Sequence, residues 1–260
     1  MIELDIDISA ALRKRRKEKQ HNCEIINPHR FGSAGGGSGD PYWANVILLL
    51  QGGKADGTNA FVDASPFARV VSRIGAPVFS VTRSKWGSES SIFFNNASAL
   101  SVPGNANLGF GTGDFTVEFW ASVVTSAAFN DRMFTSTMNN STGWYMAWDT
   151  SANYMRHSSE TDVVVPNGML NTVVWKHYAY TRQAGAARGF VDGVLRATKN
   201  DVNSAKSLPA LSGIRIGCGD NGSGAPTYYV NGYFDDIRIT TACRYTANFV
   251  PPAARFPNSP

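Results

Sequence analysis

Between residues 44 and 240, apolar residues occur in short stretches separated by Gly, Asn, Ser and Pro. Many of these stretches alternate apolar and polar positions, which is typical of a half-buried β-strand. Thirteen such segments follow one another, from ANVILLLQ near the beginning to GYFDDIRIT near the end. Because short strands that alternate with turn residues are typical of packed antiparallel sheets, the pattern predicts an all-β, two-sheet antiparallel sandwich.

One hairpin can be placed from the residues alone. In GFVDGVLRA, the pair Asp192-Gly193 stands between two alternating apolar segments. A type I′ turn needs positive φ at both central residues, and Asp-Gly is among the pairs that adopt it most readily. The sequence therefore predicts that the segments on either side of Asp192-Gly193 are neighbouring strands.

The stretch YFDDIRITTACRYTANFVPP, residues 233–252, places two carboxylates inside an apolar strand. Strict alternation predicts that Phe234, Asp236 and Arg238 share one face, whereas Asp235 and the isoleucines that follow share the other. Asp236 and Arg238 would then form an exposed ion pair of small energetic value. On the apolar side, Asp235 would need backbone N–H groups, an arginine or a cation.

The first residues differ in pattern from the rest of the chain. Residues 1–31 form a charged leader, residues 32–39 (GSAGGGSG) have the composition of a flexible linker, and residues 40–260 form one strand-rich unit. The leader begins with alternating apolar residues and continues with a basic run, so it is either a disordered basic tail or an arm that docks on a partner by strand addition. Under the docking interpretation the partner-binding residues are Ile2, Leu4, Ile6, Ile8, Arg13, Arg15 and Arg16.

Charge and cysteine content exclude several classes of function. The formal net charge is +4, but the run from Arg13 to Lys19 holds six cations and one glutamate, so the remainder is near neutral. Nucleic acid binding by the main unit is therefore not indicated. Three cysteines without CxxC spacing predict reduced thiols rather than a disulfide framework or a zinc site. The longest apolar run, Val46 to Leu50, is too short to span a bilayer, and we expect a soluble protein made in the cytoplasm.

Catalytic motifs are missing from the sequence. Glycosidases with a sandwich fold need two carboxyl groups that face a cleft, roughly 5 to 10 Å apart. Glu118 in FTVEFW has no second Glu on its strand, and no P-loop, G-x-S-x-G or histidine metal motif occurs. We expect no enzymatic activity and no cofactor.

The strand GWYMAWD is a candidate glycan-binding element. Trp144 and Trp148 lie on one strand face and Tyr154 follows shortly afterwards. Exposed aromatic faces stack on sugar rings, but the same spacing is expected of residues that fill a sandwich core. The two alternatives differ in the exposure of these side chains.

Four blocks carry a resemblance to a known family. They are GTGDFTVEFWASV (111–123), WKHYAYTRQAGAARGFVDGVLRAT (175–198), IRIGCG (214–219) and GYFDDIRITTACRYTANFVPP (232–252). In this order they resemble the laminin-G-like, concanavalin A-like jelly-roll domains, in particular those of tailed-bacteriophage virion proteins. The resemblance covers about residues 40–260.

This resemblance implies a function and a set of partners. It implies a non-enzymatic structural protein of the virion, made in the host cytoplasm and placed on the capsid as a decoration protein or on the tail. Its partners would be other virion proteins, with the leader as the anchor and self-association into a homo-oligomer as a further option. The alternative is a glycan-binding adhesin that contacts the host surface. Related sugar-cleaving jelly rolls use a matching aspartate in a calcium site, so the resemblance also makes Asp235 a candidate ligand of a structural calcium ion.

Overall fold

The computed structural model describes residues 39–105, 108–125, 131–135, 144–148, 152–157, 161–166, 173–200, 207–208, 213–220 and 224–260. The first ten strands are β1 (Val46–Leu50), β2 (Ser72–Ile74), β3 (Val78–Ser80), β4 (Ser91–Asn95), β5 (Ala99–Pro103), β6 (Phe115–Thr125), β7 (Asp131–Thr135), β8 (Trp144–Trp148), β9 (Ala152–His157) and β10 (Thr161–Pro166). The remaining strands are β11 (Lys176–Gln183), β12 (Ala186–Val191), β13 (Val194–Lys199), β14 (Gly213–Ile216), β15 (Gly219–Asp220), β16 (Pro226–Thr227) and β17 (Asn231–Thr240).

The strands form two large antiparallel sheets, as the sequence predicts. The first sheet has the order β13-β12-β11-β6-β17-β4-β3, and β1 pairs with the second half of β17. The second sheet has the order β10-β9-β8-β7-β14-β5-β2, and β15 and β16 form a separate small hairpin. The predicted all-β sandwich is confirmed. Individual strands differ from the prediction in two places. Residues 60–65, expected to form a strand, make only an isolated bridge between Leu50 and Asp63. The strands β9 and β10 were not predicted.

Aromatic side chains from the two sheets meet in the core. Phe119 of β6 lies 5.2 Å from Phe134 of β7, 5.4 Å from Tyr178 of β11 and 5.6 Å from Phe234 of β17, measured between ring centroids. Rings of this size contribute large buried apolar areas. Phe119 of the central strand β6 therefore packs against rings of both sheets.

The turn Asp192-Gly193 joins β12 to β13, with φ of 50° and 73°, and confirms the predicted type I′ hairpin. The carbonyl of Gly193 also accepts a hydrogen bond from the N–H of Phe249 at 2.9 Å. Residues 241–256, which we call the strap, thus reach the edge of the first sheet near this turn.

No helix among the described residues is long and apolar enough to cross a membrane. All described residues belong to one compact unit, Gly37–Pro260. The predicted docking arm lies outside the described residues.

Candidate functional site on the outer face of the first sheet

The outer face of the first sheet is the face that points away from the second sheet. A β-bulge in β17 determines which side chains of this strand lie on it. Asp235 pairs with Trp120 of β6 and Arg238 pairs with Glu118, so two residues of β17 oppose one residue of β6. Asp236 takes a φ of 46° at this bulge. An extra residue in one strand shifts the alternation of everything that follows. The bulge therefore places both aspartates and Arg238 on the outer face.

The predicted alternation along β17 is consequently wrong beyond Asp235. Phe234, Ile237 and Ile239 all pack in the core between the sheets. Asp236 and Arg238 do not form the exposed pair that strict alternation predicted, because both residues are buried and each has other partners.

Arg238 lies at the centre of a buried cluster of charged groups, which we call the charge cluster. Its Nε donates to Oε1 of Glu118 at 2.9 Å and its Nη1 donates to Oδ2 of Asp40 at 2.9 Å. Arg244 of the strap holds Asp40 with two hydrogen bonds, of 3.0 Å to Oδ1 and 2.7 Å to Oδ2. Tyr245 donates its hydroxyl to Oε2 of Glu118 at 2.9 Å. Two carboxylates and two guanidinium groups therefore neutralise one another beneath the strap.

These contacts keep Glu118 ionised. Burial alone would raise the pKa of this carboxyl, but Arg238, His177 and Arg244 together lower it well below its ordinary value. His177 lies close by, with Nε2 at 3.3 Å from Oε2 of Glu118. It is fully buried on β11, as expected for a packed strand residue. A buried carboxylate with this low pKa cannot act as a general acid and does not face a cleft.

Asp235 and Asp236 form a second buried group with Arg255, which we call the clasp. Oδ1 of Asp235 accepts hydrogen bonds from the N–H groups of Gly52 and Asp236 and from Nη1 of Arg255, each at 2.8 Å. Asp236 accepts from Nε2 of Gln51 at 2.9 Å and from the N–H of Phe256 at 3.1 Å. Burial, and then the neighbouring Asp235, raise the pKa of Asp236 to about 7.

The surroundings of Asp235 do not fit a calcium ion. Calcium takes roughly six to eight oxygen ligands. Asp235 instead faces N–H donors and a guanidinium group, which already satisfy its charge. Among the described residues, no group of three or more His, Cys, Asp or Glu side chains could hold a metal ion. The structure thus supports the other predicted solution, in which backbone N–H groups and an arginine hold this carboxylate.

The predicted glycan-binding residues are not brought together as an exposed face. Trp144 is 1% exposed and packs in the core, with its ring centroid 5.3 Å from that of Phe110. Of the two alternatives that the strand spacing left open, Trp144 therefore takes the one in which its ring fills the sandwich core. The side chains of Trp148 and Tyr154 lie outside the described residues, as do the partner-binding residues of the leader.

The structure reveals an aromatic surface that the sequence did not identify. It adjoins the clasp on the outer face and contains half-buried and buried rings together with two cations, and we call it the aromatic patch. Its residues are Arg83, Lys85, Trp86, Phe93, Trp120, Trp175 and Tyr233. Trp86 stands in the loop of residues 81–90, which has no alternating pattern, so only an isolated tryptophan between polar residues could have indicated it.

Comparison with known proteins identifies the family. The family described as the concanavalin A-like lectin/glucanases superfamily (Laminin_G_3) matches residues 94–247. Among curated proteins, none matches the chain significantly in sequence.

Solved structures with a similar fold include toxin binding domains. The binding domain of Paraclostridial Mosquitocidal Protein 1 is 15% identical, with a TM-score of 0.62 over 78% of this chain and 50% of that chain. Botulinum neurotoxin type C, whose cell entry depends on interaction with two ganglioside molecules, is 18% identical with a TM-score of 0.59 over 77% and 49%. The binding domain of botulinum neurotoxin DC in complex with SialylT is 16% identical with a TM-score of 0.57 over 77% and 48%.

The chain thus spans about half the length of these toxin structures, and at such low identity they show the fold alone. The family match extends from Phe94 in β4 to Ala247 in the strap, and it includes Glu118, Arg238 and the clasp aspartates. This protein is a member of the concanavalin A-like lectin/glucanase superfamily.

Proposed function

We propose that this protein is a non-enzymatic, lectin-like binding domain that recognises a glycan on a surface. The observation that carries the proposal is the aromatic patch, where Trp86, Trp175 and Phe93 remain partly exposed. Partly exposed indole and phenyl faces offer an apolar surface on which the C–H face of a sugar ring can stack. Exposing an apolar ring to water is unfavourable, and a ligand that covered the ring would remove this cost.

The charge cluster argues against hydrolysis. A glycosidase mechanism needs one carboxyl group as acid and a second as nucleophile or base, both facing substrate. Glu118 and Asp40 are buried beneath the strap, and Arg238 bridges them. Within the described part of the chain, the carboxylates on this face are engaged in holding the fold.

The similar structures agree with a binding role. They are binding domains of toxins, and SialylT is bound in one of them. Another, a binding domain of botulinum neurotoxin DC, is in complex with rat synaptotagmin II. A lectin-like fold that serves as a binding domain in those proteins supports the same kind of role here, without identifying the ligand.

A glycan array probed with the full chain tests the proposal. We expect binding to at least one glycan, and we expect Trp86→Ala and Trp175→Ala to weaken it. Phe67→Ala is a matched control, because Phe67 is an exposed aromatic residue on a different loop. Thermal melts establish that the variants fold. Absence of binding to every glycan, or hydrolysis that depends on Glu118, would overturn the proposal.

A second candidate function is that of a structural protein in a phage virion. It is favoured by the resemblance of residues 232–252 to the closing segment of phage jelly-roll domains, since this segment builds β17 and much of the strap. In this proposal the protein resides in the virion and the leader is the anchor. We expect the double variant Leu4→Asp, Ile6→Asp to be lost from purified particles, with the domain still folded. Incorporation of the variant at the normal level would refute the anchor.

A further inference from the structure

The loop of residues 81–90 places an arginine in a fixed position within the aromatic patch. The guanidinium of Arg83 lies 5.5 Å from the ring centroid of Tyr233, and its Nη1 donates to Oγ of Ser122 at 3.2 Å. The carbonyl of Arg83 accepts a hydrogen bond from Oγ of Ser91 at 2.7 Å. Both its backbone and its side chain are therefore anchored, so little entropy would be lost if the guanidinium bound a ligand.

Lys85 brings a second cation to the same surface. Its Nζ lies 3.6 Å from the ring centroid of Trp120 and 4.5 Å from that of Trp86. Burial lowers the pKa of Lys85, and Asp192, Asp235 and Asp236 act on it electrostatically in the opposite sense. Cation–π contact compensates part of the cost of burying an ammonium group, but it does not neutralise the charge.

Neither cation forms an ion pair with a carboxylate in the described part of the chain. The described ion pairs involve other residues, including Lys176, Arg238, Arg244 and Arg255. The indole N–H groups of Trp86 and Trp120 also lack an acceptor among the described residues. The patch therefore holds two cations outside any described ion pair above two buried indole donors, whereas buried donors are normally satisfied.

We propose that the aromatic patch binds an acidic sugar, whose carboxylate pairs with Arg83 and Lys85 while its ring stacks on Trp86. This inference rests on the proposed glycan-binding function and gives it a location and a ligand class. A carboxylate supplies the anionic partner that Arg83 and Lys85 lack, and charge-assisted hydrogen bonds to it are the strong kind. The C–H face of the same sugar covers the exposed indole.

The composition of the patch favours a sugar over an anionic membrane. Exposed Val173 and Val174 adjoin Trp175, which a membrane surface would also accept. However, attraction to an anionic bilayer is built from clusters of about four to eight basic residues. Here the patch holds only two cations, Arg83 and Lys85, and three aspartates act electrostatically on Lys85. This charge balance matches a single carboxylate better than a dense array of phosphates.

Titration of the full chain with 3′-sialyllactose, with a glucuronic acid-terminated disaccharide and with neutral lactose tests the inference. We expect both acidic sugars to bind at least about tenfold more tightly than lactose at low salt, because hydrogen bonds between charged groups are roughly twice as strong as those between neutral groups. Arg83→Gln and Lys85→Gln should each remove most of this preference while the melting temperature is retained. Arg196→Gln, which removes an equal charge from an exposed position on β13, should bind as the unaltered protein does.

The possible results separate the inference from the function on which it rests. If the array shows glycan binding that Arg83→Gln and Lys85→Gln leave unchanged, the patch is not the site, although the proposed function stands. Equal binding of lactose and the acidic sugars would refute the acidic ligand. If no glycan binds at all, both proposals fail. Binding to phosphatidylserine vesicles that needs Arg83 and Lys85, without sugar binding, would replace the inference with membrane attachment.

Discussion

Two regions of the first sheet's outer face place an arginine beside an aromatic ring. One region is covered by the strap and the other is the adjoining aromatic patch. The arginines of the two regions have different partners. Arg238 lies 3.9 Å from the ring centroid of Phe256, and its guanidinium is also paired with Glu118 and Asp40. Arg83 lies beside Tyr233, but the only described hydrogen-bond partner of its guanidinium is the hydroxyl of Ser122. One arrangement is internally neutral and closed, whereas the other leaves charge unmatched at the surface.

This difference separates stability from recognition. Buried charges must be neutralised within the fold, because each unpaired one costs several kcal/mol. A half-exposed cation retains part of its hydration and can remain unpaired until a ligand arrives. Variants in the strap-covered charge cluster should therefore change mainly the free energy of unfolding. Variants in the aromatic patch should change mainly the binding of a ligand.

The largest expected effect comes from removing the central arginine of the charge cluster. Arg238→Met leaves Glu118 and Asp40 buried with less positive charge, and we expect a loss of about 3–5 kcal/mol in the free energy of unfolding. Urea denaturation measures it. Arg196→Met is the control and should change stability by less than about 0.5 kcal/mol. A loss below about 1 kcal/mol for Arg238→Met would show that the cluster is not needed for folding.

The clasp should make stability depend on pH. Asp236 has a folded-state pKa of about 7, above its ordinary value of 3.8, so between these values the folded protein binds a proton that the unfolded chain does not. Its contribution is fully present below about pH 4 and is lost as the pH rises through 7. The shift corresponds to at most about 4 kcal/mol.

Asp236→Asn removes this titration. Denaturation curves at several pH values between 4 and 8 should show that the variant gains stability relative to the unaltered protein as the pH rises. The difference between the two proteins isolates Asp236 from the other carboxyl groups, among them Glu118. Parallel pH profiles would contradict the assignment.

The contact between the strap and the Asp192-Gly193 turn should have an intermediate effect. A Cβ atom at Gly193 would lie 1.9 Å from the carbonyl oxygen of Phe249, in addition to the strain of positive φ. Gly57 has a similar φ of 74° with nothing near its Cβ position, so Gly57→Ala measures the strain alone, about 1 kcal/mol. We expect Gly193→Ala to cost roughly 1–3 kcal/mol more, as overpacking does. Equal melting temperatures for the two variants would mean that the strap moves away freely.

The smallest effect on stability is expected in the aromatic patch. Arg83→Gln removes a cation without an acidic partner, and we expect a change of less than about 0.5 kcal/mol in the free energy of unfolding. Arg83→Gln and Arg238→Met both remove an arginine from the same face, so their changes in the free energy of unfolding can be compared directly. A loss of several kcal/mol from Arg83→Gln would make it a structural residue.

Local patterns predicted the elements that depend on local chemistry. The Asp192-Gly193 turn is of this kind, because its residues tolerate the positive φ that the turn needs. The neighbouring turn between β11 and β12 has Ala184 and Gly185 at φ of 47° and 82°, and it was missed because alanine rarely adopts this conformation. In the same way, nothing in the residues Asp235 and Asp236 indicates a bulge, and the predicted alternation was wrong from that point onward.

The candidate site was less predictable because its members are distant in the sequence. Asp40 and Arg244 are 204 positions apart, and Glu118 and Arg238 are 120 positions apart. Only the order of the strands in the sheet brings them together. Trp144 illustrates a second difficulty. Alternation along a strand shows which residues share a face, but it does not show whether that face packs on the other sheet or faces solvent. The Trp86 loop has no periodic pattern at all, and its position depends on how it folds back over β6.

The Asp40 interactions have a mechanical consequence. The N–H of Asp40 donates to the carbonyl of Ser259 at 2.9 Å, and its carboxylate is bound to Arg244, so the chain enters and leaves this sandwich at one point. Force applied through both ends would load this junction first rather than pull the two sheets apart. A domain with adjacent ends can also be inserted into a surface loop of another protein, or be reconnected end to end and opened elsewhere, without rearranging its strands.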